Sequence, residues 1–446
     1  MDHPIQGKVV RMFRVSEVWP DSTLALLREG YLWFPERIRR SGGKPISTRL
    51  GGLRAIGLSG PEALQFFYDE AHIQRHDAIP GPVLSTLFGH GAVHTLDGAD
   101  HRHRKAMLLS LMSAEATADL VAHTLDVWDE AVARWQHTDQ VVLFDEASRV
   151  LTRAVCDWAD VPVSDDEVPS LAADLVAMVD GFATAGPRHW RARAARRRRE
   201  VWLAGLIQDV RRTGSAKPGS ALAVIAAHRE GDGSLLAPRK AAVELLNVLR
   251  PTVAVCWFIA YAGHALQQWP EYRDRLRSGD PAYATIFNLG FATAFTNEVR
   301  RFYPFAPFIG GKAVKDLQWQ GQSIPRGSIV LVDLYGQNHD ERLWPQPYTF
   351  QPERFLNHAI GEFELVPQGG GNPHSGHRCP GEGITIGLLE ALTMRLAAID
   401  YDVPPQDLGI RANRIPARIS SGFVISKVSV PVASTTISPL RPPQRG

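Results

Sequence analysis

Apolar residues recur at three- and four-residue spacing through most of the middle of the chain, as from Ala116 to Trp135 and from Ala241 to Trp269. That period is the mark of helices with one buried face. Alternating or β-branched stretches are few and short: Ile46 to Gly60, Gln318 to Leu334 and Arg418 to Val430. The pattern predicts a mostly α protein, one large helical domain with small β-sheets attached. No internal repeat or Gly/Ser linker divides it, so residues 1–430 are expected to form that single domain, and the Pro-rich residues 431–446 a disordered C-terminal tail. The most apolar long segment, Val253 to Gly263, has eleven residues, short of the roughly twenty that cross a bilayer. It reads as a buried helix, and no membrane span is expected.

Composition narrows the class. Of 446 residues 44% are apolar and 22% charged, enough to build a large core and incompatible with a disordered or fibrous chain. The three cysteines, Cys156, Cys256 and Cys379, lie far apart with no CxxC pair, which supports neither a disulfide framework nor a zinc ribbon. The first residues lack the apolar stretch of a signal peptide, so a cytoplasmic setting is expected. From Arg188 to Arg199 seven of twelve residues are arginine, a run able to neutralise phosphates. The net charge is only +2, and no aromatic platform or groove-binding motif accompanies the run, so it reads as a solvated or anion-attracting helix face rather than a nucleic-acid site.

The sharpest chemical signal is Cys379, in Gly376-His377-Arg378-Cys379-Pro380-Gly381-Glu382, after a Gly-rich loop and before a helix. Backbone N–H groups at such a junction, with Arg378 and His377 alongside, are expected to lower the thiol's pKa and make it a thiolate metal ligand. From the cysteine alone, an inert buried thiol is the alternative. Two further motifs accompany it. Glu298 and Arg301 stand three apart on one helical face, and Pro352-Glu353-Arg354-Phe355 supplies another charge. In this order the three motifs resemble the cytochrome P450 superfamily. The resemblance implies the cytochrome P450 fold, haem b with Cys379 as the proximal iron ligand, and a structural triad of Glu298, Arg301 and Arg354. One departure is that Asn372 stands seven residues before the cysteine, where the superfamily has Phe.

His101 and Lys105, four apart in a basic cluster on an early helix, and Arg75 upstream of it, resemble the superfamily's haem-propionate partners. A solvated basic turn, or a zinc site from His101 and His103, are the other readings.

Above the haem, oxygen-activating members of the superfamily carry an acid followed by an alcohol. The matching place here reads Asn247-Val248-Leu249-Arg250-Pro251-Thr252. An arginine in an apolar helix needs an anion, and a substrate carboxylate paired with Arg250 meets that need. The carboxylate then replaces the missing acid, taking a proton from one oxygen of hydrogen peroxide and returning it to the other. The alternative is a structural ion pair. This pattern resembles the peroxide-dependent fatty-acid peroxygenases, and the likeness runs over nearly the whole chain. It implies a hydrogen-peroxide-dependent enzyme that oxidises long-chain fatty acids at the α and β carbons with no obligate reductase. Arg250, Pro251, Phe88 and His94 would meet the substrate, and Arg250 and His94 would be catalytic. His94 occupies the position where Gln accompanies hydroxylation and His accompanies oxidative decarboxylation to terminal alkenes. A protonatable imidazole there would donate a proton or shape the site, while a core histidine is the alternative reading. Competing functions are a monooxygenase fed by separate redox partners and a non-catalytic haem protein that carries fatty acid.

Overall fold

The computed structural model describes residues 21–277 and 287–431. The expected tail therefore falls, from residue 432 onward, outside the described residues. Helix dominates, with 53% of the described residues helical. Helix Ala114–Trp135 shows how the sequence builds these elements: Ser113 Oγ accepts the Ala116 N–H at 3.1 Å as N-cap, and the buried stripe Leu120, Thr124, Trp128, Ala131, Trp135 follows the helical period. Helix Leu143–Ala159 packs against it and stops where Asp160 turns left-handed at φ 63°.

At the centre lies helix Pro238–Val253, followed after Ala254 by helix Val255–Gln268. Pro251 removes one backbone donor from the ladder, and the helix breaks three residues later. Thr252 Oγ1 donates to the Val248 carbonyl at 2.9 Å, binding the turn that contains the proline. The stretch Pro238–Gln268 is long and apolar enough to cross a membrane by length and composition alone, yet 94% of its most apolar window is buried inside the protein. It is the core helix. Each fully buried Leu, Ile or Phe along it contributes roughly 1.5–3 kcal/mol.

The sheets are small. The largest has five strands in the order Ile46–Leu50, Leu53–Leu58, Ile329–Asp333, Phe308–Ala313, Ile73–Gln74. Only the pairing of Leu53–Leu58 with Ile329–Asp333 is parallel, with Ala55 opposite Ile329 and Leu58 opposite Val332. The apolar run from Gln318 divides between a hairpin, Leu317–Trp319 with Gln322–Ile324, and the central strand Ile329–Asp333. Strand Phe308–Ala313 is absent from the sequence-based expectation because Gly310 and Gly311 interrupt its alternation. The C-terminal strand Val424–Ser429 pairs with Gln140–Val142 and Asp400–Asp402.

Candidate active site

Three parts of the fold lie within electrostatic reach of one another. The first is the loop Gln368 to Cys379, which leads into helix Glu382–Ala398. Gly369 and Gly371 adopt φ of +91° and +80°, and a Cβ on Gly369 would lie 2.3 Å from Tyr68 Oη. Only glycine lets the loop pass Tyr68, whose hydroxyl accepts the Gly370 N–H at 3.1 Å. Asn372 points outward: its Oδ1 accepts the His374 N–H at 2.7 Å and its carbonyl the Gly376 N–H at 3.0 Å. Where the superfamily has Phe, this chain has a side chain that folds the loop.

Cys379 is half-buried as a residue. Burial pushes its thiol pKa up, against the opposing pull of the Gly381 N–H and of Lys105 and Arg300. Neither Arg378 nor His377 turns its charged or ring nitrogens to the thiol. Arg378 turns its Nε to Glu382 Oε2 at 2.6 Å, and His377 stacks on His101 with ring centroids 3.9 Å apart. A bound metal ion deprotonates a ligating thiol outright. Behind the loop, Glu382 is held between Arg378 and Arg300, while Arg300 also donates to Asn297 and Gln368, each at 2.8 Å.

The second part is His101, Lys105 and Arg75, all buried. Arg75 lies over the Phe67 ring at 4.1 Å and donates to the Gly310 carbonyl at 2.8 Å. Lys105 Nζ donates to the carbonyls of Gly376 and Arg378, the latter at 2.9 Å. His101 Nδ1 is buried without a partner. Arg75 and Lys105 are buried cations and His101 is a buried imidazole whose pKa burial pushes down to about 3, so the cluster is not a solvated basic turn. His103 lies on the other face of the helix, exposed and bonded to the Arg229 carbonyl at 2.7 Å, so it forms no zinc site with His101.

The third part is Arg250, 4% exposed, with a buried Nη1 that has no hydrogen-bond partner. Burial, aided by the charge of Arg196, pushes its pKa down to about 9, while Cys379 and Glu244 pull it the other way, so the thiol and the guanidinium lie within electrostatic reach. Phe88 touches both neighbours: Arg250 lies 5.8 Å from its ring centre, and the His94 ring lies against it at 4.4 Å, tilted by 37°. Burial and then Arg250 hold His94 well below its ordinary pKa, and its Nδ1 has no partner. Burial thus favours the neutral imidazole, which shapes the site or offers one N–H. Pro251 follows Arg250 inside the helix and is half-buried.

Glu298, Arg301 and Arg354 form a separate cluster. Arg301 donates to Glu298 through Nε and Nη2 at 2.7 and 2.8 Å, and through Nη1 to the Asn338 and Pro347 carbonyls at 2.8 Å each. Arg354 Nε pairs with Glu298 Oε2 at 3.2 Å.

A family model described as Cytochrome P450 matches residues 270–396. Among curated proteins, 2-hydroxyisoflavanone synthase of Glycyrrhiza uralensis is 28% identical over 35% of this chain, and (+)-menthofuran synthase of Mentha piperita 32% identical over 32%. The chain spans only about a third of those relatives' length, 32% and 29%. Solved structures match from end to end. Cytochrome P450SP alpha (CYP152B1) with (R)-ibuprofen is 41% identical, covering 92% of this chain and 99% of that one, at a TM-score of 0.87. Cytochrome P450EX alpha with myristic acid is 35% identical, covering 93% and 100%, at 0.87. A variant of cytochrome P450 OleT with arachidonic acid is 35% identical, covering 94% and 99%, at 0.89. The chain belongs to the CYP152 family of fatty-acid peroxygenases within the cytochromes P450.

Membership makes the cofactor haem b ligated by a cysteine, and the residues fit it: a buried thiol, an orphaned His101 Nδ1 and buried cations beside it. Two groups escaped the sequence reading of this CYP152 protein. His377, taken only as a neighbour of the thiol, joins the His101 cluster with Asp97 Oδ1 3.4 Å from its Nε2. Glu244, fully buried two turns before Arg250, was passed over among apolar neighbours. Its carboxylate is engaged by the Val93 N–H at 2.8 Å and by Arg104 at 2.9 Å, so it does not replace the missing acid. A lone Glu inside an apolar helix was the available signal.

Proposed function

We propose that this protein is a haem-thiolate peroxygenase that uses hydrogen peroxide to oxidise long-chain free fatty acids at the α and β carbons. Hydroxy acids, and terminal alkenes from oxidative decarboxylation, are the products. Cys379 would hold the haem iron, and Arg75, His101, Lys105 and His377 would hold its propionates. When bound, the haem supplies peroxide O–O cleavage and the oxidising equivalent, favoured by thiolate donation.

The observation that carries the reading is Arg250 Nη1, a charged donor buried without a partner and within electrostatic reach of the thiol. An uncompensated buried charge is expensive. A fatty-acid carboxylate relieves it by a bidentate pair, because guanidinium and carboxylate match in plane and spacing. So held, the carboxylate is placed to accept the peroxide proton on one oxygen and return it to the departing hydroxyl. Phe88 and His94 form the wall beside the pinned head group and limit which carbon is presented. The unpaired thiols of Cys156 and Cys256 support a reducing, cytoplasmic setting.

The test is to incubate haem-loaded protein with hexadecanoic acid and dilute hydrogen peroxide, without reductase or NADPH, and to identify products by gas chromatography and mass spectrometry. Hydroxylated acids or pentadecene are expected. Turnover only with NADPH and redox partners would replace this reading by a conventional monooxygenase. Fatty-acid binding without peroxide consumption would make the protein a carrier.

A further inference from the structure

Phe88 and His94 lie on one irregular segment. A π-helical turn, Leu84–Phe88, ends at Gly89 with φ +87°, and after Gly91 at φ +75° a 3-10 turn, Val93–Thr95, carries His94. Between the two turns residues 89–92 have no strand or helix ladder to fix them. Two buried ion pairs hold the backbone on either end of this stretch. Arg196, 2% exposed, belongs to the arginine-rich helix Pro187–Thr213. Its Nη1 donates to the Leu87 carbonyl at 2.6 Å, its Nη2 to the Phe88 carbonyl at 2.8 Å, and its Nε to Glu200 at 2.7 Å. A Cβ on Gly89 would lie 2.1 Å from Arg196 Nη2, so the fit is close. On the other side Glu244, 0% exposed, accepts the Val93 N–H at 2.8 Å and is balanced by Arg104 at 2.9 Å; Arg104 also donates to Glu230 at 2.6 Å.

We propose that Arg196 and Glu244 are positioning residues that hold Phe88 and His94 in register with Arg250, and thereby set how a bound fatty acid divides between hydroxylation and decarboxylation. The proposal rests on the function given above. Neither side chain needs to touch the substrate. Each acts through carbonyls or an N–H of the segment, and buried charge-assisted hydrogen bonds are strong enough to select one backbone arrangement. Displacement of the reacting groups by about 1 Å is enough to change rates by orders of magnitude. Two rigid elements, the arginine-rich helix and the central helix, thus fix a loop that carries the selective residues.

The test compares haem-loaded wild type with Arg196→Lys, Glu244→Leu and Glu244→Gln. Lysine keeps the charge but not the two-carbonyl fork, leucine fills the space without an acceptor, and glutamine keeps an oxygen for Val93. Two readouts are taken: amide hydrogen exchange across residues 87–94, and the ratios of alkene to hydroxy acid and of α to β product. Exchange is expected to rise about tenfold in Arg196→Lys and Glu244→Leu, about 1.4 kcal/mol of local stability, and the product ratios to shift at least about threefold. Glu244→Gln is expected to restore both toward wild type. In a His94→Gln background the shift in alkene fraction caused by Glu244→Leu is expected to vanish. Unchanged exchange, or product ratios that stay constant while exchange rises, overturns the proposal. Should Glu244→Leu fail to fold, Arg196→Lys alone decides. Wild type that forms no product with peroxide overturns the function reading instead, and exchange still tests the clamp.

Discussion

Two arginines in this protein are almost equally buried, Arg301 at 1% and Arg250 at 4% exposure, and their surroundings differ in one respect. Arg301 meets a carboxylate in bidentate geometry and two backbone carbonyls. Arg250 meets aromatic and aliphatic side chains, and one of its terminal nitrogens has no acceptor. Where a charge serves the fold, the chain provides its counterion; at Arg250 it provides no hydrogen-bonded one to Nη1, and a substrate carboxylate is the proposed counterion. A third buried charge shows another solution. Burial pushes the Asp333 carboxyl up to about 8, so it sits in the fold as a neutral acid capping the Gly336 N–H.

The comparison is broken most severely at Arg301. Removing one partner of a buried ion pair costs about 3–5 kcal/mol, so Arg301→Ala is expected to abolish accumulation of folded, haem-loaded protein, measured by soluble yield and haem absorbance. Normal yield would mean that the Glu298 cluster is dispensable.

Arg250→Leu is expected to do the reverse. Losing two charge-assisted hydrogen bonds to the carboxylate, each about 1.5–3 kcal/mol, lowers fatty-acid kcat/KM at least about 100-fold, whereas the melting temperature without fatty acid does not fall because an unpaired buried charge has been removed. Wild type gains about 2.7 kcal/mol from fatty acid at 100 times Kd, and the variant does not. A large drop in stability of the fatty-acid-free variant would make Arg250 a structural residue like Arg301.

His94→Gln removes neither charge. Stability is expected to stay within about 1 kcal/mol while the alkene fraction falls by roughly threefold, a difference below 1 kcal/mol in competing barriers. An unchanged fraction would mean that His94 does not select product.

The smallest effect concerns Asp333. Its folded pKa lies above the roughly 3.9 of an unfolded carboxyl, so the folded state keeps a proton that the unfolded chain has released, and this contribution to stability declines as pH rises from about 4 to about 8. Asp333→Asn retains the cap without the proton, and its melting temperature is expected to fall less than wild type's between pH 5 and pH 8. Equal slopes would show the carboxylate already ionised in the fold.

Legibility in the sequence followed the range of each signal. The helical period of Ala114–Trp135 and of the central helix is local and repeated, so element type and burial were readable; the strand Phe308–Ala313, interrupted by two glycines, was not. The Glu298–Arg301 spacing and the Cys379 loop are short motifs whose resemblance brought the haem fold with them. An arginine beside a proline in an apolar helix already demanded an anion, because desolvating a guanidinium is costly in any fold.

The chain order by itself thus determined the architecture, the metal-ligating cysteine candidate and the unpaired charge. Only the tertiary structure decided which charges are satisfied. It gave Glu244 to Arg104 and Val93, Arg196 to the carbonyls beside Phe88, and nothing to Arg250 Nη1. It also lowered the pKa of His94 through burial and the nearby guanidinium. Partners separated by more than a hundred residues, and the dielectric around them, exist only once the chain has packed; electrostatics depends on distance and solvent access, and a linear sequence contains neither.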